Sequence, residues 1–138
     1  MRKRVLFLCT GNSARSVMAE AIVNSRWSDA WEACSAGTRP AGQVHPLAVR
    51  ALEEIGVSPE GLRPKHIDSY HGRRFDLVIT VCDDAAGQCP VFPGDGVRVH
   101  VGLPDPAEAG TLDVFRRVRD QIIHELGELL KSHGGPAG

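Results

Sequence analysis

Short apolar segments alternate with helical patterns along this chain, and that alternation constrains the fold more than any other feature of its sequence. Residues 5–8 (VLFL) form a continuous apolar run, and residues 76–81 (DLVITV) form a second run rich in β-branched side chains. Such runs are typical of strands that are covered on both faces. Two further strands are predicted at residues 32–36 and 97–101.

Three helical patterns lie between or after these strands, at residues 13–27, 46–55 and 111–131. In the third, the apolar residues that recur at helical spacing are Phe115, Val118, Ile122, Leu126 and Leu129. The charge run at residues 116–119 of the same helix predicts a solvated face. Strands separated by helices imply right-handed βαβ units. We therefore expect an α/β fold, a three-layer sandwich whose four-stranded parallel sheet carries helices on both faces.

Length and charge narrow the classes of function. The 138 residues suit one domain, which we place at residues 1–133 with a flexible tail at residues 134–138. A net charge of −1 argues against a nucleic-acid binder, which needs a basic surface. No apolar run approaches the roughly 20 residues of a membrane span, and the N-terminal run is too short for a signal peptide. We expect a monomeric cytoplasmic protein with no nucleic-acid or membrane partner.

Four cysteines are too few for a disulfide scaffold, and in a reducing compartment such thiols are usually catalytic or metal-binding. No metal site is predicted, because the six histidines are scattered and Cys82 and Cys89 lack the C-x2-C spacing of zinc ligands. No cofactor is predicted either. Cys34 falls within a predicted strand and is interpreted as a core residue without a role.

Residues 9–16 (CTGNSARS) join the first predicted strand to the first predicted helix and place Arg15 six positions after Cys9. Such a loop can turn its backbone N–H groups, together with the helix N-terminus, toward one tetrahedral oxyanion. Arg15 can bind two oxygens in a planar fork, and the positive field favours the thiolate of Cys9, to which Ser16 can donate a hydrogen bond. The alternative is a structural cysteine that precedes an arginine by chance. The predicted oxyanion-binding residues are Thr10, Gly11, Asn12, Ser13, Ala14 and Arg15.

A second pair of cysteines follows the strand at residues 76–81. Cys82 stands at the carboxyl end of that strand, as Cys9 does for the first strand, and parallel sheets bind ligands at this edge. If residues 82–89 were helical, the Cα atoms of Cys82 and Cys89 would be about 10.5 Å apart, beyond the roughly 7 Å that a disulfide allows. Oxidation of this pair would therefore require the segment to rearrange. The alternative is two buried structural cysteines.

Asp105 lies between two prolines just after the last predicted strand. A displacement at the centre of an oxyanion expels a poor leaving group, which a positioned carboxylic acid can protonate. The residue types alone fit a turn aspartate equally well, because Asp and Pro are both common in turns.

The loop CTGNSARS resembles the phosphate-binding loop of low-molecular-weight protein tyrosine phosphatases and of the arsenate reductases that share their fold. Residues 82–90, with the pattern C-x6-C-P, resemble the redox segment of the thioredoxin-coupled reductases. The resemblance implies that Cys9 attacks arsenate while Asp105 protonates the departing oxygen. Cys82 would then attack Cys9 and release arsenite, and Cys89 would attack Cys82. Thioredoxin would reduce the resulting Cys82–Cys89 disulfide.

Two other functions remain open at this point. A phosphatase would use Cys9, Arg15 and Asp105 in the same way, but tyrosine phosphatases of this family continue the acid motif with tyrosines, whereas this chain has Ala107. That difference favours a small anion over phosphotyrosine as the substrate. A non-catalytic protein would bind an oxyanion, or sense oxidation through its thiols, without turnover.

Some arsenate reductases of this family also bind potassium behind the loop. Asn12, Glu20 and Ser35 match residues used there, whereas Lys65 replaces an acidic ligand. Because an ammonium group could take the place of the cation, we expect no potassium requirement.

Overall fold

A computed structural model describes residues 2–82 and 96–133, and at its centre lies a four-stranded sheet in which all strands run parallel. The order across the sheet is β2-β1-β3-β4. The predicted fold class is confirmed, and each predicted strand lies within two residues of its expected ends. The strands are β1 (Lys3–Cys9), β2 (Trp31–Gly37), β3 (Leu77–Thr80) and β4 (Val97–His100).

The helices of the described residues are α1 (Arg15–Arg26), α2 (Pro46–Glu53), α3 (Pro106–Ala109) and α4 (Leu112–Ser132), with a 3-10 turn at Ile67–Tyr70. Side chains cap the N-termini of the last three helices: His45, Asp105 and Thr111 each accept a backbone N–H. Both α3 and the 3-10 turn are single turns, too short for a periodic pattern in the sequence to predict them.

The middle of the sheet forms the core of the described residues. Residues 5–8 of β1 are completely buried and β3 is buried along its whole length, so both faces of these strands are covered. The parallel register sets Cys9 beside Gly37 of β2 and Leu8 beside Thr80 of β3. The carboxyl ends of the three strands therefore meet at the edge where the sequence predicts a site.

Two side chains of α4 differ from their predicted burial. Arg119 belongs to the charge run expected to be solvated, yet it is only 8% exposed. Its Nη1 donates to Ala51 O at 3.0 Å and to Glu54 Oε1 at 2.9 Å, because α4 packs against the C-terminal end of α2. Leu129 is partly exposed, and Leu130 is the buried residue of that turn.

No helix within residues 2–82 and 96–133 is long and apolar enough to cross a membrane. The assignment of residues 1–133 to a single domain stays a prediction. The predicted tail at residues 134–138 lies outside the described residues.

Candidate active site

Residues 10–14 connect β1 to α1, so Cys9 is the last residue of a buried strand and Arg15 is the first residue of a helix. Ala14 at the N-cap supplies no side-chain acceptor, and the first turn of α1 contains no acidic residue. The unpaired N–H groups and the helix dipole therefore leave this end of α1 electropositive. An anion bound in the loop would meet that positive end.

A neighbouring segment, residues 38–45, binds the outer side of the loop. Because C=O and N–H of one peptide point in opposite directions, carbonyls held from outside leave the N–H groups to face inward. Among these peptides, the N–H groups of Gly11 and Ala14 have no backbone acceptor within the described part of the chain and are available to an anion. The segment donates to four carbonyls at 2.8–3.2 Å: Thr38 to Cys9, Arg39 to Thr10, Ala41 to Gly11 and His45 to Ser13.

The loop encloses a cavity of about 200 Å³. The described residues that line it are residues 9–15, Asp105 and Ala107, so none of its described lining is aromatic. Pockets for drug-sized ligands usually measure about 300–1,000 Å³, and this cavity suits a small tetrahedral anion better. Larger clefts of about 420 and 570 Å³ lie elsewhere and contain none of the predicted site residues among their described lining.

The sulfur of Cys9 lies within hydrogen-bonding distance of two groups of its own loop. The N–H of Asn12 donates to it at 3.0 Å, and Ser16 Oγ is 2.8 Å away, a contact in which either atom can be the donor. Asn12 adopts a φ of 50°, a left-handed conformation that Asn tolerates better than most residues. These two contacts fix the position of the sulfur at the cavity that the loop encloses.

Arg15 and Asp105 lie on the wall of the cavity and face each other. Arg15 Nη2 is 3.9 Å from Asp105 Oδ2, and its Nη1 donates to Leu103 O at 3.2 Å. Asp105 Oδ1 accepts from the N–H of Ala107 at 3.0 Å, which fixes the carboxyl group at the start of α3. A guanidinium group has five N–H donors, so Arg15 keeps donors for an anion while Asp105 can deliver a proton. Sequence reasoning missed Leu103, because a backbone carbonyl has no sequence signal.

Cys82 lies beside the same loop. Its Sγ is 3.3 Å from Thr10 Oγ1, and the residue as a whole is 9% exposed. The N–H of Val81 donates to Leu8 O at 2.9 Å, which extends the pairing of β3 with β1 up to this cysteine. Cys89 and the segment predicted to rearrange lie outside the described residues.

The residues that the family resemblance associates with potassium lie together behind the loop, but they do not fit a metal cation. Lys65 Nζ is 3.1 Å from Glu20 Oε1 and donates to Arg63 O at 3.1 Å. An ammonium group thus already binds the carboxylate that a potassium ion would need.

Gly37 is a further residue on which the loop depends. A Cβ atom at this position would lie 2.5 Å from Thr10 O and 3.0 Å from Asn12 Cβ, closer than packing allows. Glycine is required here because β2 and the loop approach too closely for a side chain. The glycine at the end of a predicted strand is the only sequence signal, and it does not reveal which backbone lies opposite.

Cys34 lies apart from these groups. It is only partly buried and packs against the core from its margin, which corrects its interpretation as a core residue to that extent. Burial, followed by the charge of Glu20, raises the pKa of the Cys34 thiol and outweighs its hydrogen bond with Tyr70. A raised pKa disfavours the reactive thiolate.

Known proteins share this fold. The family of low molecular weight phosphotyrosine protein phosphatases matches residues 4–134. The arsenate reductase of Halalkalibacterium halodurans is 45% identical over 128 residues, which cover 88% of this chain and 91% of that protein. A solved arsenate reductase in the phosphate binding state superposes with a TM-score of 0.80 at 28% identity, over 96% of this chain and 99% of that chain. The thioredoxin-dependent arsenate reductase of Corynebacterium glutamicum gives a TM-score of 0.72 at 30% identity, over 96% of this chain and 62% of that chain. The chain therefore belongs to the low molecular weight phosphotyrosine protein phosphatase family.

Proposed function

We propose that this protein is an arsenate reductase, which converts arsenate to arsenite through a Cys9/Cys82/Cys89 thiol cascade and is recycled by thioredoxin. The observation that carries the proposal is the 3.3 Å contact between Cys82 Sγ and Thr10 Oγ1, which puts a second thiol at the oxyanion loop. Hydrolysis of a phosphate ester needs one nucleophile, whereas reduction of arsenate needs two thiols to supply two electrons. Arsenate reductases at 42–45% identity support the same conclusion.

In the first step, the loop N–H groups and Arg15 hold arsenate while the thiolate of Cys9 attacks arsenic. A sulfur–arsenic bond forms and one arsenic–oxygen bond breaks. Asp105, fixed on the cavity wall by the N–H of Ala107, gives its proton to the departing oxygen, which leaves as water. Arsenic is still pentavalent at this stage.

In the second step, the thiolate of Cys82 attacks Cys9 Sγ. The sulfur–arsenic bond breaks, its electron pair stays on arsenic, and trivalent arsenite leaves while a Cys9–Cys82 disulfide forms. The hydroxyl of Thr10 is placed to donate to Cys82 and stabilise its thiolate.

The last steps restore the nucleophile. Cys89 attacks Cys82 Sγ, Cys9 leaves as a thiolate, and a Cys82–Cys89 disulfide remains. The dithiol of thioredoxin reduces this disulfide and becomes a disulfide itself, so the two electrons that arsenate gains come from thioredoxin. The cycle needs a compartment that keeps thiols reduced, which is the cytoplasm, and it needs a single copy of the chain.

A coupled assay tests the proposal, with arsenate, thioredoxin, thioredoxin reductase and NADPH. Sustained NADPH consumption that depends on arsenate is expected for the wild type and for Cys34→Ser, which removes a thiol outside the site. Cys82→Ser and Cys89→Ser should abolish sustained consumption. A wild type that consumes no NADPH would contradict the proposal.

The family name makes phosphate-ester hydrolysis the second candidate. A phosphatase would use Cys9, Arg15 and Asp105 and would not need Cys82. The small cavity, with no aromatic residue in its described lining, argues against phosphotyrosine as a substrate. Hydrolysis of a phosphate ester that Cys82→Ser leaves unchanged, without arsenate-dependent NADPH consumption, would favour this candidate. Oxyanion binding without any turnover would favour a non-catalytic binding protein.

A further inference from the structure

A chain of hydrogen bonds extends from an ion pair behind the loop to the thiol of Cys9. Its far end is Lys65 Nζ, which lies 3.1 Å from Glu20 Oε1. The same carboxylate oxygen accepts from the hydroxyl of Ser35, and Ser35 Oγ accepts from Asn12 Nδ2 at 2.9 Å. Asn12 Nδ2 also donates to Ser16 Oγ at 2.7 Å, and Ser16 in turn contacts the thiol. The full order is Lys65, Glu20, Ser35, Asn12, Ser16 and Cys9.

The donors and acceptors of this chain have one consistent direction. The backbone N–H of Lys65, which can only donate, fixes the orientation of the Asn12 amide, because Asn12 Oδ1 accepts from it at 2.8 Å. Both hydrogens of Asn12 Nδ2 are therefore directed to Ser35 and Ser16. Ser16 Oγ accepts one of them, and its own proton is free to be donated to Cys9 Sγ, 2.8 Å away, when that sulfur is a thiolate. A sulfur that accepts from both Ser16 and the N–H of Asn12 is matched to the thiolate form.

Glu20 gives the chain this direction, because an anionic carboxylate can only accept and so makes Ser35 the donor. Without Lys65, the negative charge of Glu20 would destabilise the thiolate of Cys9 by repulsion. The side chains of Lys65 and Glu20 are 14% and 15% exposed, so solvent screens them weakly.

We propose that Lys65 is a positioning residue for the nucleophile: its ammonium group neutralises Glu20 and holds it at the end of the hydrogen-bond chain that directs Ser16 and Asn12 toward Cys9. Lys65 acts at two points, since its backbone N–H also fixes the amide of Asn12. This role accounts for the misfit of a metal cation behind the loop. The inference rests on the proposed function only in taking Cys9 as the nucleophile.

The test is the rate at which iodoacetamide alkylates Cys9 as a function of pH, followed for the Cys9 peptide of the full chain by mass spectrometry. Lys65→Met leaves Glu20 unneutralised and should shift the profile to higher pH, with a roughly three- to tenfold slower reaction at about pH 6. Lys65→Arg keeps the charge and should react nearly as the wild type. The matched control is Arg2→Met, which removes the cation of the exposed Arg2–Glu32 pair and should leave the profile unchanged.

Two more variants separate this role from a purely structural one. Ser35→Ala interrupts the series of hydrogen bonds but leaves the Lys65–Glu20 ion pair intact. It should also shift the pH profile of Cys9 alkylation to higher pH. Glu20→Gln combined with Lys65→Met removes both charges and should shift it less than Lys65→Met alone. An unchanged profile in Lys65→Met would overturn the inference, whatever happens to thermal stability. If Lys65→Met does not fold, an unchanged profile in Ser35→Ala would do the same.

Alkylation requires no arsenate, so the two proposals can fail separately. A protein that shows the shift but does not reduce arsenate would contradict the proposed function and support the role of Lys65. A protein that reduces arsenate but shows no shift of the pH profile would support the proposed function and contradict the role of Lys65.

Discussion

At the scale of single residues, the oxyanion loop has no room for additional atoms on the side of β2. Gly37 pairs with Cys9 in the register of β1 and β2, and a Cβ atom there would collide with Thr10 O at 2.5 Å. A Cβ atom at Gly42, in the segment that supports the loop from outside, would have no atom within 4 Å. The two glycines therefore form a matched pair for a test of the close approach.

Gly37→Ala should displace the carbonyl of Thr10 and, with it, the N–H groups that bind the anion. We expect kcat/KM for arsenate to fall roughly a hundredfold, because small displacements of positioning groups have large effects on rate. The free energy of unfolding should fall by about 1–3 kcal/mol. Steady-state kinetics and denaturant titration measure these effects, and Gly42→Ala should change neither. Wild-type kinetics in Gly37→Ala would show that the loop does not depend on this contact.

Lys65 leads to a second prediction at this scale. Its ammonium group, 3.1 Å from Glu20 Oε1, already balances the carboxylate behind the loop. Initial rates of arsenate reduction should therefore be equal in potassium chloride and in sodium chloride at the same ionic strength. A rate that increases and saturates with potassium, but not with sodium, would contradict this prediction.

At the scale of secondary-structure elements, a cluster of charges joins α2 to α4. Glu54, at the C-terminal end of α2, accepts hydrogen bonds from Arg116 and Arg119 of α4. The hydrogen bonds from Arg116 above all hold the pKa of Glu54 at about 2, below its ordinary value of 4.5. The other end of α2 begins after His45, whose N–H binds Ser13 O, so the element that this cluster anchors also supports the loop.

Glu54 should therefore make stability depend on pH in the acidic range. Because its pKa is lower in the folded chain, its contribution is complete above about 4.5 and is lost as the pH falls to about 2. Glu54→Gln should be less stable than the wild type at neutral pH, and the two free energies of unfolding should converge on acidification. Denaturant titrations at several pH values measure this difference. A difference that stays constant over the same range would show that Glu54 does not contribute through its charge.

At the scale of the whole molecule, the sequence predicts those parts of the site that one short stretch of chain contains. Cys9, Ser16 and Arg15 belong to a single strand–loop–helix unit, so their spacing alone predicts that they act together. The contacts of Arg15 with Leu103 O and of Gly37 with the loop join residues that are distant along the chain. Only the packing of the sheet creates them, and neither a carbonyl oxygen nor a missing side chain has a recognisable pattern.

Cys82 shows how far general rules of topology extend. Its place at the carboxyl end of a parallel strand predicts the correct edge of the sheet. The hydroxyl of Thr10 as its neighbour could not be predicted, because that contact depends on how the loop curls between β1 and α1. The burial of Arg119 was missed for a related reason, since the partner that removes it from solvent lies on another helix.

The most direct test of the thiol cascade traps it at its second step. When Cys89→Ser is incubated with arsenate, the reaction should stop at a Cys9–Cys82 disulfide after releasing about one arsenite per chain. Mass spectrometry of non-reduced peptides, together with a measurement of arsenite, determines both products. The disulfide and arsenite should appear in equal amounts. Free thiols at Cys9 and Cys82, with no arsenite formed, would contradict it.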